Sequence, residues 1–251
     1  MFDIKGNVAI ITGPRSGIGQ AIAVAMAKSG VNIMGVGTKA MPETKALVEA
    51  EGARFAEMQV DLMQPSVELF DNIVKTTVDV FGKIDILVNN AGLRRRGACL
   101  DYSMSDWDAV MNVNLKSLFF LTQRVGAQFL EQGSGGKVVN VASLLSFQGG
   151  FRTPAYASSK SAVAGLTKSF ANEWAGQGIN VNAVAPGYIT TEGTAALRED
   201  KVRNEQILVR IPAGRWGDPD DIAGPVVFLC SPAARYIHGT ILQVDGGWLG
   251  R

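Results

Sequence analysis

Apolar residues recur along this chain in two alternating modes. One mode is a short, almost unbroken apolar run such as Asn7-Val-Ala-Ile-Ile-Thr12, the pattern of a parallel strand covered on both faces. The other has helical spacing, as in Ile18, Ala21, Ile22, Ala25 and Met26, which places one apolar stripe along a helix. Read this way, the chain predicts strands at 7–12, 31–36, 54–60, 84–88, 136–142, 179–185 and 240–245. Helices are predicted at 18–29, 42–51, 65–81, 105–131, 155–176 and 219–230. Asp218-Pro219 supplies a cap residue and then proline at the first helical position. Ser105-x-x-Asp108 resembles a capping box. Strand and helix in alternation predict a parallel sheet with right-handed crossovers. No repeat, low-complexity tract or linker interrupts it. The longest stretch without a clear pattern, 187–217, precedes the last long helix and is expected to form a lid at the carboxyl edge of the sheet.

Gly13-Pro-Arg-Ser-Gly17-Ile-Gly19 falls directly between the first strand and the first helix. A glycine-rich turn in that context lets backbone approach a pyrophosphate, with the helix N-terminus offering N–H groups and a positive dipole end. Gly13 is expected to make the tight turn, Gly17 the close approach, and Gly19 the packing of helix on sheet. Pro14 removes one donor from the turn. The expected fold class is α/β: a single domain over 1–251 built on a Rossmann-like, doubly wound parallel sheet of about seven strands, with helices on both faces.

Tyr156 and Lys160 lie one helical turn apart, and Ser143 follows a Val-rich strand. A free phenol titrates near ~10. A fixed ammonium and a hydroxyl donor both favour phenolate, so the trio can serve as an acid or base near neutral pH. The shift required is about 3–4 kcal/mol of differential stabilisation.

Composition narrows the partners. A net charge of +1 makes no electrostatic case for nucleic acid or an anionic membrane. With 47% hydrophobic residues the chain can bury a large core, yet no run approaches the ~18 apolar residues of a membrane span. Cys99 and Cys230 are expected to be reduced thiols, and His238 structural. No metal-ligand cluster is evident. Met1-Phe-Asp-Ile-Lys5 runs straight into the first strand without a secretory pattern, so a soluble, cytoplasmic protein is expected.

Taken together and in order, the glycine turn, Asn89-Asn-Ala-Gly92, Ser143, Tyr156-x-x-x-Lys160 and Pro186-Gly187 resemble the short-chain dehydrogenase/reductase family over essentially the whole chain. The resemblance implies an NAD(P)-dependent oxidoreductase. Tyr156 would exchange the proton with the substrate oxygen and Ser143 would hold that oxygen. Lys160 would depress the phenol pKa and grip the nicotinamide ribose, and Asn114 would anchor a water relay from the lysine. Gly13, Arg15, Ser16, Gly17, Ile18 and Gly19 would meet the cofactor phosphates, with Thr38 and Lys39 near the adenosine ribose. Asp61 and Leu62 would meet the adenine, and Asn89, Asn90, Ala91 and Gly92 would line the cofactor edge. Pro186, Gly187, Ile189 and Thr191 would hold the carboxamide, beside Tyr156 and Lys160.

Arg95-Arg96, Leu144-Leu-Ser-Phe-Gln-Gly-Gly150 followed by Arg152, Asn172-Glu-Trp174 and the terminal Val244-Asp-Gly-Gly-Trp-Leu-Gly-Arg251 are similar to one branch of that family. Its members act on 2-dehydro-3-deoxy-D-gluconate, a six-carbon sugar acid of uronate breakdown. Arg95, Arg96, Gln148 and Arg152 would then bind substrate beside Ser143 and Tyr156, because guanidinium forks match carboxylates. Arg94 is not required by that pattern. A 3-oxoacyl-thioester reductase, another polyol or aldonate dehydrogenase, and a non-catalytic nucleotide-binding scaffold remain as alternatives. Gly37, Thr38 and Lys39 close the second strand without a carboxylate, and Lys39 or Arg15 could attract a 2′-phosphate. That tilts the expectation toward NADP while leaving NAD open. The family also implies a homotetramer assembled through 105–131, 155–176 and the last strand, with Trp248 and Arg251 either reaching a neighbour's site or pinning the tail.

Overall fold

The computed structural model describes residues 1–251. Seven strands form one sheet: β1 (Val8–Thr12), β2 (Asn32–Gly37), β3 (Phe55–Gln59), β4 (Ile86–Asn89), β5 (Gly136–Val141), β6 (Ile179–Pro186) and β7 (Ile241–Val244). Their spatial order is β3-β2-β1-β4-β5-β6-β7, every pair parallel. All of β1 and β6 is buried, because helices cover both faces. Alternation along β1 shows how. Ala9 and Ile11 face α1 (Gly17–Lys28) and α9 (Pro219–Cys230), while Ile10 faces α3 (Val67–Phe81) and the later helices α5 (Ser117–Gln132) and α6 (Pro154–Trp174). The remaining long element, α2 (Pro42–Ala50), lies beside α1. Predicted and observed elements agree to within one or two residues at most ends, and no helix is long and apolar enough to cross a membrane.

Two expectations fail locally. The helix expected over 105–131 is α4 (Met104–Met111) followed by a π-helical turn, Asn112–Lys116, and then α5. In that turn the Ser117 N–H reaches back to the Asn112 carbonyl, five residues away, so one extra residue is accommodated without ending the helix. The cap is also two residues earlier than expected: Ser103, not Ser105, accepts from the Asp106 N–H at 3.1 Å. Asp218 does start α9, its own N–H donating to the Asp221 carboxylate at 2.7 Å with Pro219 next.

Chain order reverses between β1 and β4, so a crevice opens above their carboxyl ends. Thr12 braces this point, its hydroxyl accepting from the N–H groups of Asn90 (3.0 Å) and Ala91 (2.9 Å). Segment 187–217 lies on the same edge and is more ordered than its sequence suggests. It holds α7 (Ala195–Glu199) and α8 (Lys201–Leu208), and its two stems are laced together. Thr190 N–H donates to the Gly217 carbonyl at 2.8 Å and Gly217 N–H to that of Tyr188 at 2.9 Å.

Candidate active site

The glycine turn is built by conformation and by lack of space. Gly13 and Gly17 are left-handed (φ 68° and 57°), which a side chain disfavours. A Cβ on Gly19 would sit 2.3 Å from the Gly13 carbonyl oxygen and 2.4 Å from the Asn90 amide nitrogen. Gly19, on α1, is therefore demanded by the close approach of the helix to Gly13 and Asn90 at the ends of β1 and β4, the packing of helix on sheet that its spacing suggested. Ser16 caps α1 in extended backbone without turning its hydroxyl onto the helix. Pro14 faces inward, where its carbonyl accepts from the Thr44 hydroxyl at 2.8 Å. Arg15, Thr38 and Lys39 are exposed around this end.

Two cavities adjoin at Asn90 and Gly92. One, of about 440 Å³, is lined by Gly13, Thr38, Asp61, Leu62 and Ala91. The other, of about 600 Å³, carries Ile18, Ser143, Tyr156, Lys160 and, from the far side, Pro186, Gly187, Ile189 and Thr191. Gly92 lines both, and an extended dinucleotide would fit that shape, its adenosine over the first cavity and its nicotinamide in the second. Asn89 does not line either one. It belongs to β4, is buried, and donates to Thr122 (2.9 Å) and Asn140 (2.9 Å), with Asn140 passing the chain on to Thr167 (3.0 Å). The expectation that it lines the cofactor edge is corrected: strand alternation turns its amide into the sheet's own polar network.

Tyr156 and Lys160 share the first turns of α6, with the ammonium 5.7 Å from the phenol ring centre. Ser143 caps a short 3₁₀ turn, and its oxygen accepts from the Leu145 N–H at 3.1 Å, which leaves its proton free to donate. Lys160 is 3% exposed and donates to the Val141 carbonyl at 2.6 Å. Burial pulls its pKa down to about 8. Burial also raises the Tyr156 pKa, and the Ser143 hydroxyl and then the Arg94 charge pull it back. Lys160 was expected to lower the phenol pKa, but burial brings its own to about 8, so in the free protein it has lost its charge by the pH at which the raised phenol ionises. Asn114 is buried in the π-helical turn. Its oxygen accepts from Leu93 N–H (2.7 Å), and its nitrogen donates to the Leu93 carbonyl (2.9 Å) and to Ser159 (3.0 Å). Asn114 and Lys160 both approach Gly92: a Cβ there would lie 3.8 Å from each.

The expected substrate residues are dispersed. Arg95 pairs with Asp106 at 3.6 Å, and Arg96 and Arg152 are exposed outside the cavity. Arg152 is the one non-glycine residue with left-handed backbone (φ 56°), and its carbonyl accepts from Gly97 N–H at 3.0 Å. Gln148 gives its amide oxygen to Trp248 Nε1 at 3.0 Å. Trp248 also meets Tyr188 at a tilt of 53° and carries the Arg210 guanidinium 3.9 Å over its ring, contacts made within its own chain. Arg251 is exposed. Arg94, which the sequence ranked last of the three arginines, is the one that lines the cavity. A loop without periodicity left its side-chain direction unreadable. The two cysteines are free, Cys99 exposed and Cys230 buried.

Residues 13–249 match the family model described as enoyl-(acyl carrier protein) reductase. The chain is 53% identical to 2-dehydro-3-deoxy-D-gluconate 5-dehydrogenase of Bacillus subtilis, covering 100% of this chain and 97% of that one. It is 51% identical to the protein of the same name from Dickeya dadantii, over 100% and 98%. A crystal structure from Agrobacterium tumefaciens, described as a candidate 2-deoxy-D-gluconate 3-dehydrogenase with bound NADP, superposes with a TM-score of 0.94 at 51% identity, covering 100% and 99%. With that match along its whole length, and with a phenol, a hydroxyl and an ammonium gathered beside a glycine cradle at the sheet's switch point, this chain belongs to the short-chain dehydrogenase/reductase family of oxidoreductases.

Proposed function

We propose that this chain interconverts a hydroxyl and a ketone on a six-carbon deoxy-keto sugar acid, as 2-dehydro-3-deoxy-D-gluconate 5-dehydrogenases do, with a nicotinamide dinucleotide as partner. The observation that carries this reading is Tyr156, Ser143 and Lys160 on one cavity wall, in a chain about half identical, end to end, to enzymes of that name. The dinucleotide, when bound, accepts or donates the hydride. In the reducing direction Tyr156 passes its phenolic proton to the carbonyl oxygen, which Ser143 Oγ holds by hydrogen bonding. Lys160, already close to losing its proton at about 8, gains an anionic neighbour as phenolate forms and stabilises it. Asn114 fixes the Leu93 backbone beside that lysine. In the oxidising direction the same phenolate takes the proton back.

Gly13, Arg15, Ser16, Gly17, Ile18 and Gly19 hold the phosphates, Thr38 and Lys39 the adenosine ribose, and Asp61 with Leu62 the adenine. Asn90, Ala91 and Gly92 line the middle, and Ile189 and Thr191 the nicotinamide end. The lack of a carboxylate at 37–39 favours NADP, in keeping with the NADP of the Agrobacterium structure. Residues 187–217 act as the substrate lid. A homotetramer in the cytoplasm is the assembly we expect, with the outer strand β7 and helices α5 and α6 at its contacts; light scattering gives its mass.

The deciding experiment offers the purified protein keto-deoxyhexonates, aldonates and an acetoacetyl thioester, with each reduced and oxidised nicotinamide. Turnover of the sugar acid with little on the thioester supports the reading. Thioester reduction without sugar-acid turnover would overturn it in favour of a 3-oxoacyl-thioester reductase.

A further inference from the structure

The 600 Å³ cavity is lined by two cationic side chains, Arg94 and Lys160, and by no carboxylate. Lys160 is buried at the back and holds the Val141 carbonyl at 2.6 Å. Arg94 sits on the loop after β4, opposite the proposed lid, and its Nη2 donates to the Gly193 carbonyl of that lid at 2.7 Å. A guanidinium carries five N–H donors in a planar fork, so one bond to Gly193 leaves most of the fork unspent. Arg95, its neighbour, lies outside this cavity, beside Asp106 at 3.6 Å on the surface. The lid in turn comes close to the glycine turn, since a Cβ added to Gly17 would lie 3.3 Å from Thr191 Cγ2.

We propose that Arg94 is the specificity-determining cation of this site: it receives the carboxylate of an anionic substrate and, through Gly193, ties that recognition to lid closure. The inference rests on the sugar-acid reading of the same site and adds the residue that selects the acid. Three features support it. Arg94 is the only cation on the wall that is not buried against the sheet. It bridges the two sides of the mouth, so an anion bound there is held between loop and lid. It also lies near enough for its charge to act on the Tyr156 phenol, so the bound carboxylate and the reacting oxygen fit one cavity.

Three proteins test it: wild type, Arg94→Gln and Arg94→Lys. Each is assayed on the sugar acid and on its neutral amide. Dinucleotide affinity, measured by fluorescence, serves as the control for folding. Expected is a rise in KM for the acid of about 10- to 100-fold in Arg94→Gln, the scale of a lost charge-assisted bond. KM for the amide should move less than threefold, with dinucleotide affinity unchanged. Arg94→Lys should fall between, keeping charge but losing the fork. Equal losses on acid and amide, or no loss on either, overturn the carboxylate role. The latch is read separately, on the free protein, by amide hydrogen exchange across 191–198. Exchange about three- to tenfold faster in Arg94→Gln supports it, and unchanged exchange overturns it. If wild type turns over no sugar acid at all, the functional reading fails on that control alone, while the exchange result still judges the latch.

Discussion

Replacing Lys160 with methionine should make the protein more stable at neutral pH while abolishing its activity. The lysine is 3% exposed, and burial lowers its pKa from 10.5 to about 8. A shift of about 2.5 units corresponds to roughly 3 kcal/mol at ~1.36 kcal/mol per unit. Because the folded pKa lies below the unfolded one, the folded chain binds fewer protons between pH 8 and 10.5. Stability contributed by this group is therefore complete above 10.5 and lost as pH falls through 8. At pH 7 the buried ammonium carries the whole cost. Methionine removes it and forfeits the bond to the Val141 carbonyl (2.6 Å), worth about 1 kcal/mol. The net gain is about 2 kcal/mol, or roughly 4–8 °C in Tm for a chain of this size. Denaturant unfolding of both proteins from pH 7 to 10.5 measures it. Cys230, held up to about 12 by burial, loses stability as pH rises from 9, but it is present in both proteins and cancels in the difference. The advantage of the variant should shrink from pH 8 upward, vanish at about pH 10 and reverse above it, where the neutral amine keeps its bond to Val141 without the charge cost. A difference independent of pH, or a less stable variant at pH 7, would refute the argument that this lysine is kept at a thermodynamic cost for function.

Gly19→Ala should abolish dinucleotide binding and cost about 1–3 kcal/mol of stability. Its Cβ would stand 2.3 Å from the Gly13 carbonyl oxygen and 2.4 Å from Asn90. Calorimetric titration with NADP checks the first part and thermal melting the second. Gly37→Asp has room for its Cβ, whose nearest neighbour is Met41 Cε at 3.6 Å. It should turn cofactor preference from NADP toward NAD, as read from the ratio of the two kcat/KM values, by placing a carboxylate where a 2′-phosphate would lie.

The strands were legible because each is an apolar run bounded by glycine or polar residues, as in β1 and β6, and the parallel sheet followed from the alternation. Ser143, Tyr156 and Lys160 were legible from their order and spacing, which put them on one wall. What escaped detection was local. The π-helical turn at Asn112–Lys116 inserts one residue into an otherwise continuous helical period, and a pattern read over 27 residues (105–131) does not resolve it. Asn89 resembled its neighbour Asn90 in sequence, but it is the last residue of β4, where pairing with Asn140 draws it into the sheet. Arg94, Arg95 and Arg96 could not be ranked from a loop. Which guanidinium faced the cavity was decided by the ion pair of Arg95 with Asp106 and by Gly193 across the mouth. The weight of Lys160 was invisible for a different reason: spacing shows that an ammonium is near a phenol, not that the ammonium is out of water.

The account turns on proton transfer by the Tyr156 phenol, and Tyr156→Phe tests that step most directly because it removes one oxygen from a half-buried ring and leaves the fold intact. Steady-state turnover of the keto sugar acid with NADPH, alongside a fluorescence titration of the dinucleotide, should show a rate at least ~10²-fold lower with unchanged affinity. A variant that turns over within a few-fold of wild type would contradict it.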